Sequence, residues 1–488
     1  MPSNTNLTSQ QIHDFFKSYD MRGTVPTLNA EIFYWTGYGL FDLIVKPQNL
    51  PTTINLMHDC RLSSPEFYKA FAQGVIDAGG MVNNLGYGST DLLYASTLVT
   101  HNTGAMITAS HNPKDDNGVK ILKIGSTMLG LEEGLGIVRD FVIAKYSTDE
   151  NLNTKLENLT DPVMDEDLKT KVNEFFVQTI RGIGGAAEVD SILASRGQKL
   201  KIAVDAGNGM GGYVMELIKD IYQNIEFVPL YWELDGNYPN HPADPQNFDN
   251  LKDLQNIVRT TDIDFGFAFD GDSDRIFFVD DNGDIINGDF LVAFFSRAIL
   301  KANQKNPSPN YNHAIVYLQP GSRCVIEAIN ECDGVAIPSM QGHTKIKEQM
   351  QKYKALYGGE FSGHHYFAQF GYLDSGVMAG VLLIKIITEQ NQKISQVFQK
   401  LKKTYFISDL VNFKIPEGMT FEDIKNKIKL AFQDSVTSEM DGISVFYPDW
   451  KFSMRPSNTE PKVRFILETR STDNVAEKLA LVKEVVGY

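Results

Sequence analysis

Ile107-Thr108-Ala109-Ser110-His111-Asn112-Pro113-Lys114-Asp115-Asp116-Asn117-Gly118-Val119-Lys120 changes character twice. The apolar run Gly104-Ala105-Met106-Ile107 predicts a short strand that ends in the polar loop Thr108 to Pro113. Pro113 steers Asn112 away from helical backbone, and Asn117-Gly118 is a strong turn signal. Val119-Lys120-Ile121-Leu122 then reads as a returning strand. On this reading the loop holds the Ser110 hydroxyl up at a rim, with His111 beside it and Lys120 able to return to it. A lone serine in such a place is ordinarily a turn residue bonding its own backbone. Three other unusual stretches point elsewhere, because they make sense around a phosphate carried on Ser110.

The same pattern of strand, polar turn and helix recurs outward from this loop. Thr53 to Met57 reads as a strand and His58-Asp59-Cys60-Arg61 as the loop after it. Ser63 or Ser64 caps a helix with Pro65 and Glu66 in its first turn; Phe67, Phe71 and Val75 share one face, and Gly79-Gly80 ends it. Lys201 to Asp205 is the next clear strand, followed by the glycine-rich turn Ala206 to Gly212. A dinucleotide site is the alternative for that turn and is not the reading taken, a glycine motif alone being a weak signal. Ala314 to Leu318 followed by Gln319 to Arg323 is a third such unit. Three related α/β units with mixed or parallel sheets follow. The polar region Ser147 to Asp161 is a boundary or a surface excursion. After about Tyr405 the texture changes. Asp409 to Ile415, Gly442 to Tyr447, Lys451 to Met454 and Val463 to Glu468 read as strands, and Thr420 to Phe432 and Asp473 to Val486 as helices. That is a compact α+β domain. The expected domains are 1–165, 166–284, 285–403 and 404–488.

Bulk properties narrow the function. The chain has 488 residues, enough for about three or four domains, and 42% hydrophobic residues. Its net charge of −16 argues against nucleic acid or a membrane surface as partner, so basic groups for an anionic ligand must be concentrated locally. Cys60, Cys324 and Cys332 are too few and too scattered for a disulfide framework or a structural zinc site. The opening MPSNTNLTSQ does not read as a signal peptide, and the apolar run Val377 to Ile387 is too short to span a bilayer. A soluble cytoplasmic protein with no obligate protein partner is expected.

Three further stretches carry chemistry. The apolar strand Asp264 to Phe269 breaks into Asp270-Gly271-Asp272-Ser273-Asp274-Arg275 before Ile276 to Val279 leaves. Three carboxylates at i, i+2 and i+4 cannot sit buried and unpaired, and on a loop between strands they converge on a hard cation such as Mg²⁺. An EF-hand fails, because Arg275 stands where that loop needs glycine and no helices flank it. A solvated acidic turn is the bland alternative. Gly358 to His365 is dense in hydrogen-bonding groups suited to a polyhydroxylated ligand, and Gly342-His343-Thr344-Lys345 is a second loop of the same flavour. Arg455-Pro456-Ser457-Asn458-Thr459-Glu460-Pro461 offers a guanidinium, two hydroxyls, an amide and turn N–H groups, a set that fits a phosphate. An ordinary proline-bounded turn is its alternative.

In this order, Thr108-Ala109-Ser110-His111-Asn112-Pro113, Asp270 to Arg275, Gly359-Glu360-Phe361-Ser362-Gly363-His364 and Arg455 to Pro461 resemble the α-D-phosphohexomutase superfamily across nearly the whole chain. Tyr19-Asp20-Met21-Arg22-Gly23 and Asp235 to His241 match further stretches of that family. The resemblance implies three topologically similar α/β domains with mixed sheets plus a C-terminal α+β domain, around a central cleft. It implies that Ser110 is the phosphorylated serine, that Ser110, Asp270, Asp272 and Asp274 hold Mg²⁺, and that residues 359 to 364 select the sugar. It points to the phosphomannomutase and phosphomannomutase/phosphoglucomutase branch. The sequence departs from the family pattern at Phe361 in place of Met, and at Thr90-Asp91 where Thr-Pro is common; Gln319 to Arg323 carries no lysine.

The implied reaction is phosphoryl transfer in two steps through a hexose 1,6-bisphosphate, which is both intermediate and activator. Lys120, Arg22 and Arg275 supply positive field, and His111 and His343 are acid–base candidates. Tyr19, Gly342, Glu360, Ser362 and His364 bind the sugar phosphate. Arg455, Ser457, Asn458 and Thr459 hold the phosphate that is not reacting. The rivals are a phosphoglucomutase or dual-specificity mutase, a one-way phosphatase or phosphotransferase, and a non-catalytic sugar-phosphate sensor.

Overall fold

The computed structural model describes residues 7–125, 127–408, 411–416, 418–456, 462–470 and 474–487. The chain divides into two compact units. The first comprises Met1–Ile286 and Ser362–Lys393, the second Asn287–Phe361 and Ile394–Tyr488.

The first unit holds two mixed sheets. In one, the strands run in the order Met21–Thr24, Asp116–Lys123, Thr103–Ile107, Thr53–His58 and Met81–Tyr87. Asp116–Lys123 is antiparallel to both its neighbours, and Thr53–His58 and Met81–Tyr87 join in parallel. The predicted strand and its return around Ser110 are therefore Thr103–Ile107 and Asp116–Lys123, paired as Met106 with Lys120 and Ile107 with Val119. Every residue of Thr103–Ile107 is buried, as a strand enclosed on both faces requires. The helix Ser64–Asp77 buries Phe67, Phe71 and Val75 on the expected face, and Phe67 stacks on Phe33 at 4.2 Å between ring centroids. Ser63 stands at its N-cap but makes no side-chain capping bond, because its hydroxyl accepts from Asn117. The polar region after Ser147 is not a featureless excursion. It contains the helix Leu152–Glu157, anchored by buried Leu152.

The second sheet runs Ile276–Val279, Phe265–Phe269, Leu200–Asp205, Ile225–Leu230, antiparallel at the first pair and parallel in the rest. As expected, Leu200–Asp205 feeds the glycine turn and then the helix Met210–Ile218. Helix Glu166–Gly184 packs with helix Gly376–Gln390, which carries the apolar run noted in the sequence. Among the described residues, no helix is long and apolar enough to cross a membrane.

The second unit contains the parallel strands Val335–Ser339, Asn312–Leu318 and Ala355–Gly359. It also holds an antiparallel sheet ordered Phe406–Ile407, Lys462–Thr469, Trp450–Pro456, Ile443–Phe446, Val436–Ser438, with Val411–Lys414 also on Lys462–Thr469. Helices Phe421–Ala431 and Val475–Val486 complete the C-terminal α+β layer, and Phe452, Phe465, Ile428 and Val482 fill its core. Phe406–Ile407 and Val436–Ser438 have no expected counterpart, being too short for an alternating pattern to register. The three cysteines are free and buried.

Candidate active site

Ser110 follows the strand Thr103–Ile107 with a left-handed backbone, φ 54°. Such a conformation is uncommon for a residue with a side chain and needs support from its surroundings. The support is a cage of donors. The Ser110 N–H donates to Thr108 Oγ1 at 2.9 Å. The buried Arg61 guanidinium donates to the carbonyls of Ser110, Asn112, Pro113 and Asp116, while its Nε donates to Asp59 Oδ2 at 3.1 Å. Arg22 donates to the Ala109 carbonyl and to Asn112 Oδ1, and is ion-paired with Asp20 at 2.8 Å.

The Ser110 hydroxyl does not stand at a rim. Its residue is 0% exposed, because the Asp270–Arg275 turn lies directly against it. A Cβ built on Gly271 would fall 2.4 Å from the Ser110 carbonyl oxygen, so only glycine allows this approach. Across that contact Ser110 Oγ donates to Asp270 Oδ2 at 2.9 Å, and His111 Nδ1 lies 3.4 Å from Oγ. Burial, joined by the Arg275 and Arg22 charges, pushes the His111 pKa well below its ordinary value, so its imidazole is neutral near pH 7.

The acidic loop joins strands Phe265–Phe269 and Ile276–Val279, so strands and not helices flank it. It too is buried. Asp270, Asp272 and Asp274 are each fully enclosed, and one oxygen from each lies within 4.8 Å of the others. Lys120 Nζ donates to Asp272 Oδ2 and Asp274 Oδ2, both at 2.6 Å. Burial opposes the lysine's charge, but these two carboxylates prevail and hold its pKa above the ordinary value. Arg275 Nε lies 3.7 Å from Asp270 Oδ2. Burial first, and then Asp274 and Asp272, drive the Asp270 pKa well above the usual carboxylate range. Asp272 Oδ1 is buried and takes no hydrogen bond from the described residues. Three converging carboxylates, one with an unmet oxygen and one reluctant to ionise, fit a hard divalent cation ligated by oxygen.

Four contributors to this geometry were not marked by the sequence as site residues. Thr90, at the start of helix Thr90–Thr100, donates its hydroxyl to Asp272 Oδ2 at 2.5 Å and its N–H to the Asp272 carbonyl at 3.1 Å. Asp374 accepts from His364 Nδ1 at 2.8 Å, which leaves His364 Nε2 to accept from Arg275 Nε, also at 2.8 Å. Asp374 thereby fixes the tautomer of His364 and the aim of Arg275. Ser375 begins the next helix, and Arg61 scaffolds the serine loop. In the sequence Thr90 is legible only as part of Thr90-Asp91, and Arg61 only as a loop residue. Their partners lie far away in sequence: Thr90 and Asp272 are separated by 182 residues.

The first unit thus brings together Arg22, Ser110, His111, Lys120, Asp270, Asp272, Asp274, Arg275 and His364. Tyr19 is half-buried just before the strand that carries Arg22. Buried Ser362 has its carbonyl on Gln246 Nε2 at 3.1 Å. Gly342, His343, Glu360 and Arg455 belong to the second unit. Gly342, at φ 126°, caps the helix His343–Tyr353, and Glu360 is buried after the strand Ala355–Gly359. Arg455 sits across from Arg464 in the antiparallel ladder. Burial lowers its pKa from the ordinary arginine value against the pull of Asp441. Ser457, Asn458 and Thr459 lie outside the described residues.

Residues 13–141, 176–283, 287–405 and 410–484 match, respectively, the phosphoglucomutase/phosphomannomutase alpha/beta/alpha domains I, II and III and C-terminal domain. The chain is 30% identical over 484 residues to a phosphomannomutase of Vibrio cholerae, covering 96% of this chain and 98% of that one. It is 32% identical over 464 residues to a phosphomannomutase/phosphoglucomutase of Pseudomonas syringae, covering 93% and 92%. A crystal structure of a phosphoglucomutase/phosphomannomutase family protein from Burkholderia thailandensis superposes with a TM-score of 0.76 at 25% identity, covering 98% of each chain.

Proposed function

The chain belongs to the phosphoglucomutase/phosphomannomutase family, with all four of its domains, and on that premise we propose that it interconverts mannose 6-phosphate and mannose 1-phosphate. The observation that carries this reading is the Ser110 hydroxyl 2.9 Å from Asp270 Oδ2, inside a cluster of three buried carboxylates. A buried hydroxyl against carboxylates is a poor structural element and a good site for phosphoryl transfer assisted by a divalent cation.

In the proposed reaction the Oγ–P bond of phospho-Ser110 breaks as a new O–P bond forms to the free hydroxyl of a hexose monophosphate. The sugar hydroxyl gives its proton to a base while the departing Ser110 Oγ takes one up; His343, and His111 with its neutral imidazole, are the candidates for that exchange. The resulting hexose 1,6-bisphosphate turns end for end, and its other phosphate returns to Ser110, whose hydroxyl gives up its proton as the departing sugar oxygen gains one. Asp270, Asp272, Asp274 and an oxygen at Ser110 would hold Mg²⁺, which would offset phosphate charge when bound. Lys120 holds Asp272 and Asp274 in place and, with Arg22 and Arg275, adds positive field in an otherwise acidic chain. Glu360, Ser362 and His364 take hydroxyls of the sugar, and Tyr19 and Gly342 take part in binding it. Arg455, joined by Ser457, Asn458 and Thr459, takes the phosphate that is not reacting. Arg464 opposite Arg455 supports that role, because like charges facing each other across a ladder are unfavourable until an anion joins them.

A dual-specificity mutase is the second reading. It rests on the Pseudomonas syringae relative, whose name joins both activities. Coupled assays with mannose 1-phosphate and glucose 1-phosphate, primed with bisphosphate and Mg²⁺, separate the two. Turnover of mannose 1-phosphate at a kcat/KM at least about tenfold above that of glucose 1-phosphate is expected. Equal values would favour dual specificity, and inorganic phosphate without isomerised sugar would overturn the mutase reading.

A further inference from the structure

Asp91 stands where the resembled pattern carries proline, and it is fully buried in the first turn of helix Thr90–Thr100. Its Oδ2 accepts from Ser375 Oγ at 2.8 Å, 284 residues away, and its Oδ1 accepts from the Ser89 hydroxyl. Ser375 is the N-cap of helix Gly376–Gln390, its hydroxyl accepting from the Met378 N–H. The carboxylate therefore joins the starts of two helices. Both starts press on the acidic loop. On one side Thr90 binds the side chain and the carbonyl of Asp272. On the other, a Cβ on Gly376 would lie 2.8 Å from the Arg275 carbonyl oxygen and 3.0 Å from that of Ser273.

We propose that Asp91 is a positioning residue for the cation site: by tying Ser375 to the Thr90 turn, it clamps the Asp270–Arg275 loop between two helix starts and sets its affinity for Mg²⁺. The inference rests on the reading of that loop as a cation site. Thr90 and Lys120 both occupy Asp272 Oδ2, which leaves Oδ1 as the oxygen without a hydrogen-bond partner among the described residues. Loosening the Thr90 turn frees Asp272 to rotate and turns a preorganised ligand into one that must be ordered on binding. Loss of comparable outer contacts weakens metal binding about 10- to 100-fold. Proline, which brings no acceptor for the Ser89 and Ser375 hydroxyls, could not serve the same purpose.

The test is Mg²⁺ affinity by isothermal titration calorimetry on the chelator-stripped full chain, for wild type, Asp91→Asn, Ser375→Ala and the double variant. Asp91→Asn, close in shape, keeps the packing while weakening the bridge. Each single variant is expected to raise the Mg²⁺ dissociation constant about 10-fold or more, and the double variant by no more than the larger single effect, because both break one bridge. Single effects that multiply, or dissociation constants unchanged while melting temperatures fall, would overturn the proposal and leave Asp91 a plain structural residue. Asp272→Asn run alongside separates the premise from the inference. If it too leaves Mg²⁺ binding intact, the cation reading of the loop fails; if it abolishes binding while the Asp91 variants do not, only the clamp fails.

Discussion

A serine with φ 54°, no exposure, and its hydroxyl on a carboxylate carries a cost that packing alone does not justify. If Ser110 carries the transferable phosphate, Ser110→Ala should lower turnover at least about 10³-fold while leaving sugar-phosphate binding within a few-fold of wild type. Intact-mass spectrometry should find one phosphate on wild type that substrate removes and none on the variant. Turnover within tenfold of wild type would sink the assignment. At this scale the sequence was informative wherever chemistry is written as a contiguous motif. Ser110, Lys120 and the three aspartates lie together in the fold. The expectation that the Ser110 hydroxyl stands at a rim was wrong, because the motif does not say what covers it; the Asp270–Arg275 turn does, through Gly271 against the Ser110 carbonyl. Thr90, Asp374 and Ser375 stayed hidden for a related reason. Each is a single polar residue in an unremarkable stretch, and its meaning comes only from a partner the fold brings near.

At the scale of elements, the serine loop is held less by its own turn signals than by Arg61, projected from the loop after strand Thr53–His58. One guanidinium donates to four carbonyls between Ser110 and Asp116, satisfying acceptors that a buried loop otherwise leaves unpaired. Lysine has three donors around one nitrogen and cannot span that set. Arg61→Lys should therefore speed amide exchange across residues 108–116 and reduce kcat about 10- to 100-fold with KM little changed, since the loop loses its aim rather than its chemistry. Hydrogen exchange followed by mass spectrometry, with steady-state kinetics, checks both halves. Unaltered exchange in that loop would refute the scaffold role. The surrounding strands were readable because apolar runs of five or six residues bounded by turn signals have few alternatives. The two- and three-residue strands Phe406–Ile407 and Val436–Ser438 were not, because they exist only as partners of longer neighbours.

For the molecule as a whole, four domain families describe the sequence, yet packing draws two compact units. In the second unit the C-terminal layer is joined to the parallel-stranded layer by a buried charged junction with no counterpart among the motifs. Lys451, on strand Trp450–Pro456, is 1% exposed and donates to the carbonyls of Pro320 and Gly321. Arg323 runs the other way, donating to the carbonyls of Tyr447, Pro448 and Trp450. Asp289 and Glu468 are buried with them, and burial lifts the Asp289 carboxyl to about 6 although Lys451 pulls it down. Arg323 closes the stretch Gln319 to Arg323, which drew attention in the sequence only for lacking a lysine; its cation faces another layer of its own unit. Replacing Lys451 with methionine keeps the apolar stem but leaves two buried carboxylates with less compensation, a loss of about 3 kcal/mol when a buried pair is broken. That corresponds to roughly 100-fold faster exchange of the amides that open with the unit. Hydrogen exchange in Lys451→Met should accordingly rise in segments 287–361 and 394–487 and stay unchanged across 7–286. A rise shared equally by both units would mean that they unfold together and that the junction stabilises the entire chain; no rise anywhere would mean that the buried ammonium contributes nothing an apolar side chain cannot replace.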